Sequence, residues 1–152
     1  MDSISWEDCI EFISKLKKPP KGWRFDLPTE AQWEYACRAG TAGAYAGNLD
    51  SMAWYFDNSN ARSETVARKT PNPWGLHDMH GNVFEWCKDF YGPKLPGGQD
   101  PVLKSYSENR LRVRKGGSWY YGRSACRSAY RNGEVEDFKT ANLGFRLALV
   151  PE

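Results

Sequence analysis

The contrast between the first 40 residues and the remainder of this 152-residue chain most constrains its fold. Only the first 40 residues have apolar side chains at the three- and four-residue spacing of amphipathic helices. The remainder combines short apolar runs with frequent Gly, Pro, Asn, Asp and Ser, which are typical of turns. Aromatic residues make up 14% of the chain, so large rings are expected to fill the core. These features favour a compact, loop-rich domain with few helices.

Two helices are predicted near the N-terminus. The first begins after Ser5, a favourable N-cap, and ends before Pro19-Pro20. Its apolar stripe comprises Trp6, Cys9, Ile10, Ile13 and Leu16. The second begins at a capping box formed by Thr29 and Gln32, and it ends near Gly40, a residue type common just beyond a helix C-terminus.

The rest of the chain is predicted to form short strands and loops. Residues 40–72 are expected to be loop or short irregular strand around the aromatic cluster at 54–56, and residues 91–109 form another polar loop. A long irregular segment in a small domain is usually functional or held by a ligand. Strands are predicted at 83–87, 111–115, 124–131 and 143–150.

Charge and hydropathy limit the classes of partner. The chain has 21 Lys and Arg against 19 Asp and Glu, and this net charge of +2 gives no strong electrostatic argument for nucleic acid or an anionic membrane. The sequence contains no run of 18 apolar residues, the length that could span a membrane. The N-terminus also lacks the pattern of a signal peptide. We expect a cytoplasmic domain that binds a protein or small-molecule ligand and no nucleic acid. Display at the cell surface is the alternative if the chain is a fragment.

The four cysteines, Cys9, Cys37, Cys87 and Cys126, are far apart and have no zinc-ligand spacing. An even number permits two disulfides in three connectivities, whereas buried free thiols suit a chain of this size. We predict free thiols, which agree with a reducing compartment.

Three ordered sequence blocks resemble the formylglycine-generating enzyme (sulfatase-modifying factor) family. They are LPTEAQWEYACRAG at 27–40, GLHDMHGNVFEW at 75–86, and a closing block with GGSW, CRSA and LGFR at 116–119, 126–129 and 143–146. The resemblance implies an α+β domain with a variant of the C-type lectin fold, which has two helices, short twisted antiparallel strands and much irregular backbone. It also implies one domain over residues 1–152 that lacks the N-terminal β segment usual in the family.

The same resemblance bears on catalysis. The family's oxidases convert a cysteine to formylglycine with oxygen and Cu(I), which they hold between two cysteines downstream of Gly-Gly-Ser. In this chain these positions are Tyr121 and Cys126. Because a phenol is a hard, weak ligand for Cu(I), we expect no copper and no catalytic residue, with Ser118 and Cys126 as vestiges. The family partner of Cys37 is replaced by Arg131, so that disulfide is not expected either.

A calcium site is the strongest chemical hypothesis that the resemblance provides. Asp78 and Glu85 would bind Ca²⁺ through their carboxylates, and Gly81 and Val83 would bind it through backbone oxygens. Such a site suits a hard cation that takes six to eight oxygen ligands. The alternative is that Asp78 caps a turn and Glu85 pairs with an arginine.

The only two histidines, His77 and His80, flank Asp78. Ring nitrogens at this spacing could ligate a transition metal, but no third ligand lies nearby in sequence. Solvated or hydrogen-bonded loop histidines are therefore favoured. A Ser/His/Asp triad is not excluded by residue counts, although the sequence contains no nucleophile elbow.

A group rich in Tyr, Gly and Asn is predicted to form a binding face. These residue types are typical of adaptable binding surfaces, and by resemblance they line the pocket in which the oxidases bind peptide. A similar frame occurs in variable proteins of diversity-generating retroelements, where such positions are diversified for ligand binding. The alternative is that the rings are core. The predicted face comprises Trp119, Tyr120, Tyr121, Gly122, Tyr130, Asn132 and Phe138.

Two functions follow from these observations. The first is a non-catalytic ligand-binding module on a C-type lectin-like scaffold. A more specific form of this function is a receptor domain diversified by a retroelement. The second is an enzyme or enzyme fragment of the formylglycine-generating oxidase or sulfoxide synthase type. Tyr121 in place of a cysteine favours the first function.

Overall fold

The computed structural model describes residues 2–105 and 110–152, in which all strands except the first follow the last α-helix. The helices are α1 (Trp6–Lys15), α2 (Glu30–Arg38) and α3 (Leu49–Met52). The strands are β1 (Trp23–Asp26), β2 (Phe84–Phe90), β3 (Leu111–Lys115), β4 (Asn132–Val135), β5 (Leu143–Gly144) and β6 (Ala148–Pro151). The chain is therefore an α+β protein, as predicted.

Local capping interactions begin both long helices. Ser5 Oγ accepts a hydrogen bond from the Asp8 N–H at 3.1 Å, and the Asp8 carboxylate accepts one from the Ser5 N–H at 3.0 Å. Thr29 and Gln32 form the same reciprocal pair before α2. Both predicted helices are confirmed, and the chain leaves α2 through the left-handed Ala39 (φ 46°). No helix in the described ranges is long and apolar enough to cross a membrane.

A third helix, α3, lies in the segment predicted to be loop. Asn48 begins it, since its side-chain oxygen accepts a hydrogen bond from the Ser51 N–H at 3.2 Å. Leu49 and Met52 bury the inner side of this single turn. One turn is too short to produce a periodic apolar pattern, so the sequence predicts two helices where the structure has three.

Two small sheets contain the paired strands. β4, β3, β2 and β5 form one sheet in that order, in which β2 and β5 are parallel and the other neighbours are antiparallel. β1 and β6 form a separate antiparallel pair, with Trp23 opposite Pro151. Residues 145–147 connect β5 with β6, so they join the two sheets.

The strand predictions are confirmed in part. Residues 111–115 form β3, and the strand predicted at 83–87 is β2. The strand predicted at 124–131 is wrong, because Arg123–Cys126 is a 3-10 turn whose hydrogen bonds are local, as from the Ala125 N–H to the Gly122 carbonyl (3.0 Å). The strand predicted at 143–150 divides into β5 and β6, and β1 and β4 have no counterpart in the prediction.

Buried aromatic rings fill the core, as the composition predicts. Phe84 and Trp86 on β2 and Trp33 on α2 are at most 1% exposed. The Trp86 indole N–H donates a hydrogen bond to the Ile4 carbonyl at 3.0 Å, so the ring is buried without leaving a polar atom unpaired. These rings pack β2 between α1 and α2. The position of β2 in turn sets where the loops that precede and follow it are attached.

Replacing Gly81 with Ala should cost much more stability than replacing Gly75 with Ala. Both glycines have a left-handed backbone, with φ of +87° and +79°. A Cβ at Gly81 would lie 2.3 Å from the Trp54 carbonyl oxygen, whereas a Cβ at Gly75 would meet open space. We expect urea denaturation to show a loss of about 2–5 kcal/mol for Gly81→Ala and about 1–2 kcal/mol for Gly75→Ala. Equal losses of stability would contradict the close packing of the loop at Gly81 against the loop at Trp54.

Candidate functional site

The loop before β2 places the Asp78 side chain in a buried, partly unpaired position. Asp78 has a left-handed backbone (φ 57°) and is 9% exposed. One carboxylate oxygen, Oδ2, accepts a hydrogen bond from the Ala67 N–H at 2.8 Å. The other, Oδ1, is buried and has no hydrogen-bond partner within residues 2–105 and 110–152. A buried carboxylate oxygen without a partner is energetically costly, so it marks a place where a cation or water would be stabilised.

Glu85, at the start of β2, is held by two side chains from different parts of the chain. Its Oε2 accepts a hydrogen bond from the Trp33 indole N–H at 2.7 Å, and Arg146 donates to both carboxylate oxygens at 2.5 and 2.7 Å. Arg146 also donates to the His77 carbonyl at 3.1 Å. Burial lowers the pKa of Arg146, but the Glu85 carboxylate outweighs it and the pKa is raised. Glu85 thus makes the arginine pair that the alternative to calcium requires.

All four predicted calcium ligands line one cavity of about 340 Å³. Phe145 and Arg146 also line it, together with Val66, Ala67, His77 and Asn82. Among the described residues, no group of three or more His, Cys, Asp and Glu side chains could hold a metal ion. A cation in this cavity would therefore need backbone oxygens in addition to carboxylates. The ligands predicted there are Asp78, Gly81, Val83 and Glu85.

The two histidines have different environments. His77 Nδ1 lies 2.9 Å from the Lys69 carbonyl oxygen at the side of the same cavity. His80 is 1% exposed, and its ring bridges the Cys126 carbonyl oxygen (2.7 Å to Nδ1) and the Ala46 N–H (3.0 Å to Nε2). This places the proton on Nδ1, and burial lowers the pKa of His80. Both ring nitrogens of His80 are used in hydrogen bonds, so this histidine is a structural link between loops.

The positions of the family's copper cysteines hold a packed ring and a buried thiol. The Tyr121 ring contacts Phe84 edge to face, with centroids 5.1 Å apart. Cys126 is fully buried, and burial, with a smaller contribution from Cys37, raises its pKa to about 12. Ser118 is also fully buried. The Cys126 sulfur and the Ser118 hydroxyl are thus buried, whereas Tyr121 is half-buried.

All four cysteines are buried and carry free thiols. Arg131, at the position of the family partner of Cys37, pairs instead with Glu30, and Arg131 Nη2 lies 2.8 Å from Glu30 Oε2. Because Glu30 is on α2, this ion pair ties α2 to the segment before β4. An ion pair therefore crosses between elements at the position where the family has a disulfide.

The predicted binding-face residues fall into two groups. Trp119, Tyr120 and Tyr121 form a row of edge-to-face contacts with centroids 5.5 and 5.9 Å apart. Through Phe84 the row continues to Tyr130, at 5.1 and 6.3 Å. Tyr120 is 60% exposed, whereas Tyr121 and Tyr130 pack against the core. Tyr121 and Tyr130 therefore pack on the core, as in the alternative interpretation, whereas the Tyr120 ring is exposed.

The other predicted members lie around this row. Gly122 is exposed and precedes the 3-10 turn, Asn132 is half-buried in β4, and Phe138 is 39% exposed in the turn after β4. Trp119 instead contacts the turn before β5, since its indole N–H donates to the Ala141 carbonyl at 3.2 Å. No ring contact among the described residues joins Phe138 to the row.

Phe56 is an exposed ring that the predicted face does not include. It is 61% exposed, and its N–H donates to the Tyr121 carbonyl at 3.0 Å. Ser59 Oγ donates to the Trp119 carbonyl at 3.0 Å, so residues 56–59 are fixed against residues 119–121. The sequence signal is the aromatic cluster at 54–56 in an otherwise polar loop. We define the aromatic face as Phe56, Trp119, Tyr120 and Tyr121.

Native protein should resist cysteine alkylation. Cys126 is fully buried with a pKa of about 12, so the thiolate fraction at pH 8 is on the order of 10⁻⁴. We expect iodoacetamide to leave the native protein unmodified by intact mass spectrometry, and to modify all four cysteines in denaturant. Rapid modification of Cys126 without denaturant would show that the thiol is accessible and would restore it as a candidate for chemistry.

Comparison with known proteins identifies relatives along nearly the whole chain. A family model for the sulfatase-modifying factor enzyme 1-like domain matches residues 1–150. The formylglycine-generating enzyme of Streptomyces coelicolor is 32% identical over 167 residues, which cover 95% of this chain and 51% of that enzyme. Serine/threonine-protein kinase pkn1 of Chlamydia pneumoniae is 36% identical over 129 residues, which cover 80% of this chain and 20% of the kinase.

A solved structure also matches the whole fold. Treponema denticola variable protein 1 has a TM-score of 0.86 at 27% identity, and the match covers 100% of this chain and 71% of that one. The chain spans about half or less of the length of the two curated relatives. These matches confirm the α+β fold of formylglycine-generating enzyme type that the sequence blocks predict. The chain belongs to the sulfatase-modifying factor enzyme 1-like domain family.

Proposed function

We propose that this chain is a non-catalytic ligand-binding module that binds a protein or small molecule through its aromatic face. The observation that carries the proposal is the position of Tyr121. It replaces the first copper cysteine of the resembled oxidases, and its ring supports the exposed Tyr120 from below, with centroids 5.9 Å apart. Tyr121 thus stands in place of a copper ligand of the oxidases and also contributes to the proposed recognition surface.

The physical properties of the aromatic face suit recognition. Tyrosine and tryptophan offer large, rigid contact areas and lose little conformational entropy on binding, because they have only two side-chain torsions. The exposed rings of Phe56 and Tyr120 sit on loops that are already fixed by the hydrogen bond between the Phe56 N–H and the Tyr121 carbonyl. A preordered surface pays less of the entropic cost of association. Exposed aromatic clusters on small proteins commonly mark interaction sites.

The similarity to Treponema denticola variable protein 1 supports a more specific version of the proposal. In that version the chain is a receptor domain whose surface residues are diversified by a retroelement. The Tyr, Gly and Asn residues at 120–122, 130 and 132 are the residue types expected at diversified positions.

The alternative function is an enzyme or enzyme fragment of the oxidase type. The 32% identity to the formylglycine-generating enzyme of Streptomyces coelicolor favours it. The burial of Cys126 and the phenol of Tyr121 argue against it, since a linear Cu(I) site needs two accessible soft ligands. Formylglycine in a cysteine-containing sulfatase peptide, after incubation with the protein, Cu(I) and oxygen, would establish the alternative and overturn the binding proposal.

A structural Ca²⁺ is the second part of the proposal. Among the described residues, Asp78 Oδ1 is buried without a partner and Glu85 Oε1 accepts a single hydrogen bond, so both carboxylates retain acceptor capacity at one cavity. Gly81 and Val83 would complete the ligand set with backbone oxygens. With Arg146 beside Glu85, the three side chains carry a net charge of −1, which leaves the cavity favourable to a hard cation. Bound Ca²⁺ would stabilise the loop and take no part in chemistry.

Tyr120→Ser should remove ligand binding with little effect on stability. The Tyr120 ring is 60% exposed, so its loss should change the unfolding free energy by about 0.5 kcal/mol or less. The probe is a random-peptide phage library selected on the immobilised parent protein. We expect selected peptides to bind Tyr120→Ser at least tenfold more weakly than the parent, as for an aromatic hot spot.

Tyr35→Ser is the matched control, because Tyr35 is 70% exposed on α2 and makes its ring contact with Trp74. It should bind the selected peptides as the parent does. If both variants retain binding, the peptides use another surface and the aromatic face is not the recognition site. Replacing Tyr121 or Tyr130 would be a poorer test, because both rings pack on the core.

Chelation should lower the melting temperature of the parent. A ligand present at about 100 times its Kd stabilises the native state by about 2.7 kcal/mol, which corresponds to roughly 5–10 °C for a domain of this size. Asp78→Asn should reduce the difference, since the amide keeps an acceptor for the Ala67 N–H and suits a left-handed backbone, but loses the negative charge.

Asp100→Asn is the control for the calcium test. Asp100 also has a left-handed backbone (φ 46°) but is exposed and outside the cavity, so its variant should respond to chelator as the parent does. Identical melting of the parent with added Ca²⁺ and with chelator would leave Asp78 as a turn residue and exclude the calcium proposal.

A further inference from the structure

The corner between α1 and β1 concentrates positive charge that the small net charge of the chain conceals. Residues 12–25 contain five cationic side chains and no carboxylate. Within the described residues, Lys15 pairs with Glu11 and Arg24 pairs with Asp26. The remaining three cations form no ion pair in that part of the chain, and all are exposed. These three are Lys17, Lys18 and Lys21.

The same corner encloses a groove of about 550 Å³ that shares no residue with the aromatic face or the cavity at Asp78. Ile13 of α1, Leu16 directly after it and Phe25 of β1 give it an apolar wall. Trp23, at the start of β1, is 43% exposed and lines the groove beside the lysines. The groove therefore combines apolar contact area with three lysines that form no ion pair among the described residues.

An extended segment that ends in a carboxylate side chain already enters this groove. Glu152 follows β6, and its N–H donates to the Gly22 carbonyl at 3.1 Å, which continues the pairing of Trp23 with Pro151. Glu152 lines the groove, yet it forms no ion pair with the lysines among the described residues. The geometry thus accepts extended backbone with an acidic side chain and leaves the lysine charge uncompensated.

We infer that this groove binds an extended peptide that carries both acidic and apolar side chains. Carboxylates would pair with Lys17, Lys18 and Lys21, and apolar side chains would cover Trp23 and the apolar wall. A nucleic acid fits less well, because its phosphates would leave the apolar wall uncovered and the net charge of +2 gives little long-range attraction to a polyanion. The inference is independent of the aromatic face.

Fluorescence anisotropy with a fluorescein-labelled octapeptide of alternating Glu and Leu tests the inference. We expect saturable binding at low salt that weakens as salt screens the exposed charges. A Gln/Leu octapeptide should bind roughly tenfold more weakly, because it keeps the apolar side chains and loses the charges. A single-stranded DNA pentamer, whose four phosphodiesters match the four Glu charges, should also bind more weakly. Absence of saturable Glu/Leu binding, or equal binding of the Gln/Leu peptide or the DNA, would overturn the proposal.

Paired charge variants locate the site. Lys18→Gln combined with Lys21→Gln should weaken Glu/Leu binding roughly fivefold to tenfold. Arg68→Gln combined with Lys94→Gln removes the same charge at exposed positions outside the groove, and should leave binding unchanged. Both double variants should have the same melting temperature as the parent, since all four side chains are exposed and none forms an ion pair in the described chain. Equal weakening by both would show a general charge effect and overturn the groove as the site.

Discussion

The buried carboxylate of Glu85 is the contact on which the arrangement of the loops depends. It lies on β2 and binds Trp33 from α2 and Arg146 from the link between β5 and β6. Arg146 then reaches the His77 carbonyl in the loop before β2. Three elements distant in sequence therefore meet at one 6%-exposed side chain. Removing one partner of such a pair leaves an uncompensated buried charge, at a cost of about 3–5 kcal/mol. Both partners of this ion pair, Glu85 and Arg146, line the cavity at Asp78.

A second buried ionic cluster holds α2 on the main sheet. Lys115 is fully buried at the end of β3, and its ammonium lies 3.0 Å from the Glu34 carboxylate. Glu30, one turn earlier on α2, pairs with Arg131. Lysine is almost never fully buried without a partner, so these charges specify which side of α2 faces the sheet. In a chain with so little regular structure, ionic contacts of this kind set the geometry that long helices provide in other folds.

The sequence predicts local features well and long-range features less well. Both capping boxes are recognisable because all their atoms lie within four residues, and Leu111–Lys115 is recognisable by its alternation. β1 and β4 have four residues each, and each exists because a partner strand distant in sequence pairs with it. The proposed aromatic face shows the same limit. Phe56 joins Tyr121 through one hydrogen bond across 65 positions, and no local pattern contains that information.

The presence of Cys126 has a structural explanation that needs no chemistry. Its sulfur lies 2.7 Å from the position a Cβ on Gly117 would occupy, so Gly117 and Cys126 fit each other closely. Cys126 also packs in a cluster with Leu49 of α3 and with Tyr55, next to the exposed Phe56. Its carbonyl accepts the His80 hydrogen bond that links two loops. Packing and the hydrogen bond to His80 therefore account for a cysteine at this position, although Tyr121 stands where the resembled oxidases have their other cysteine.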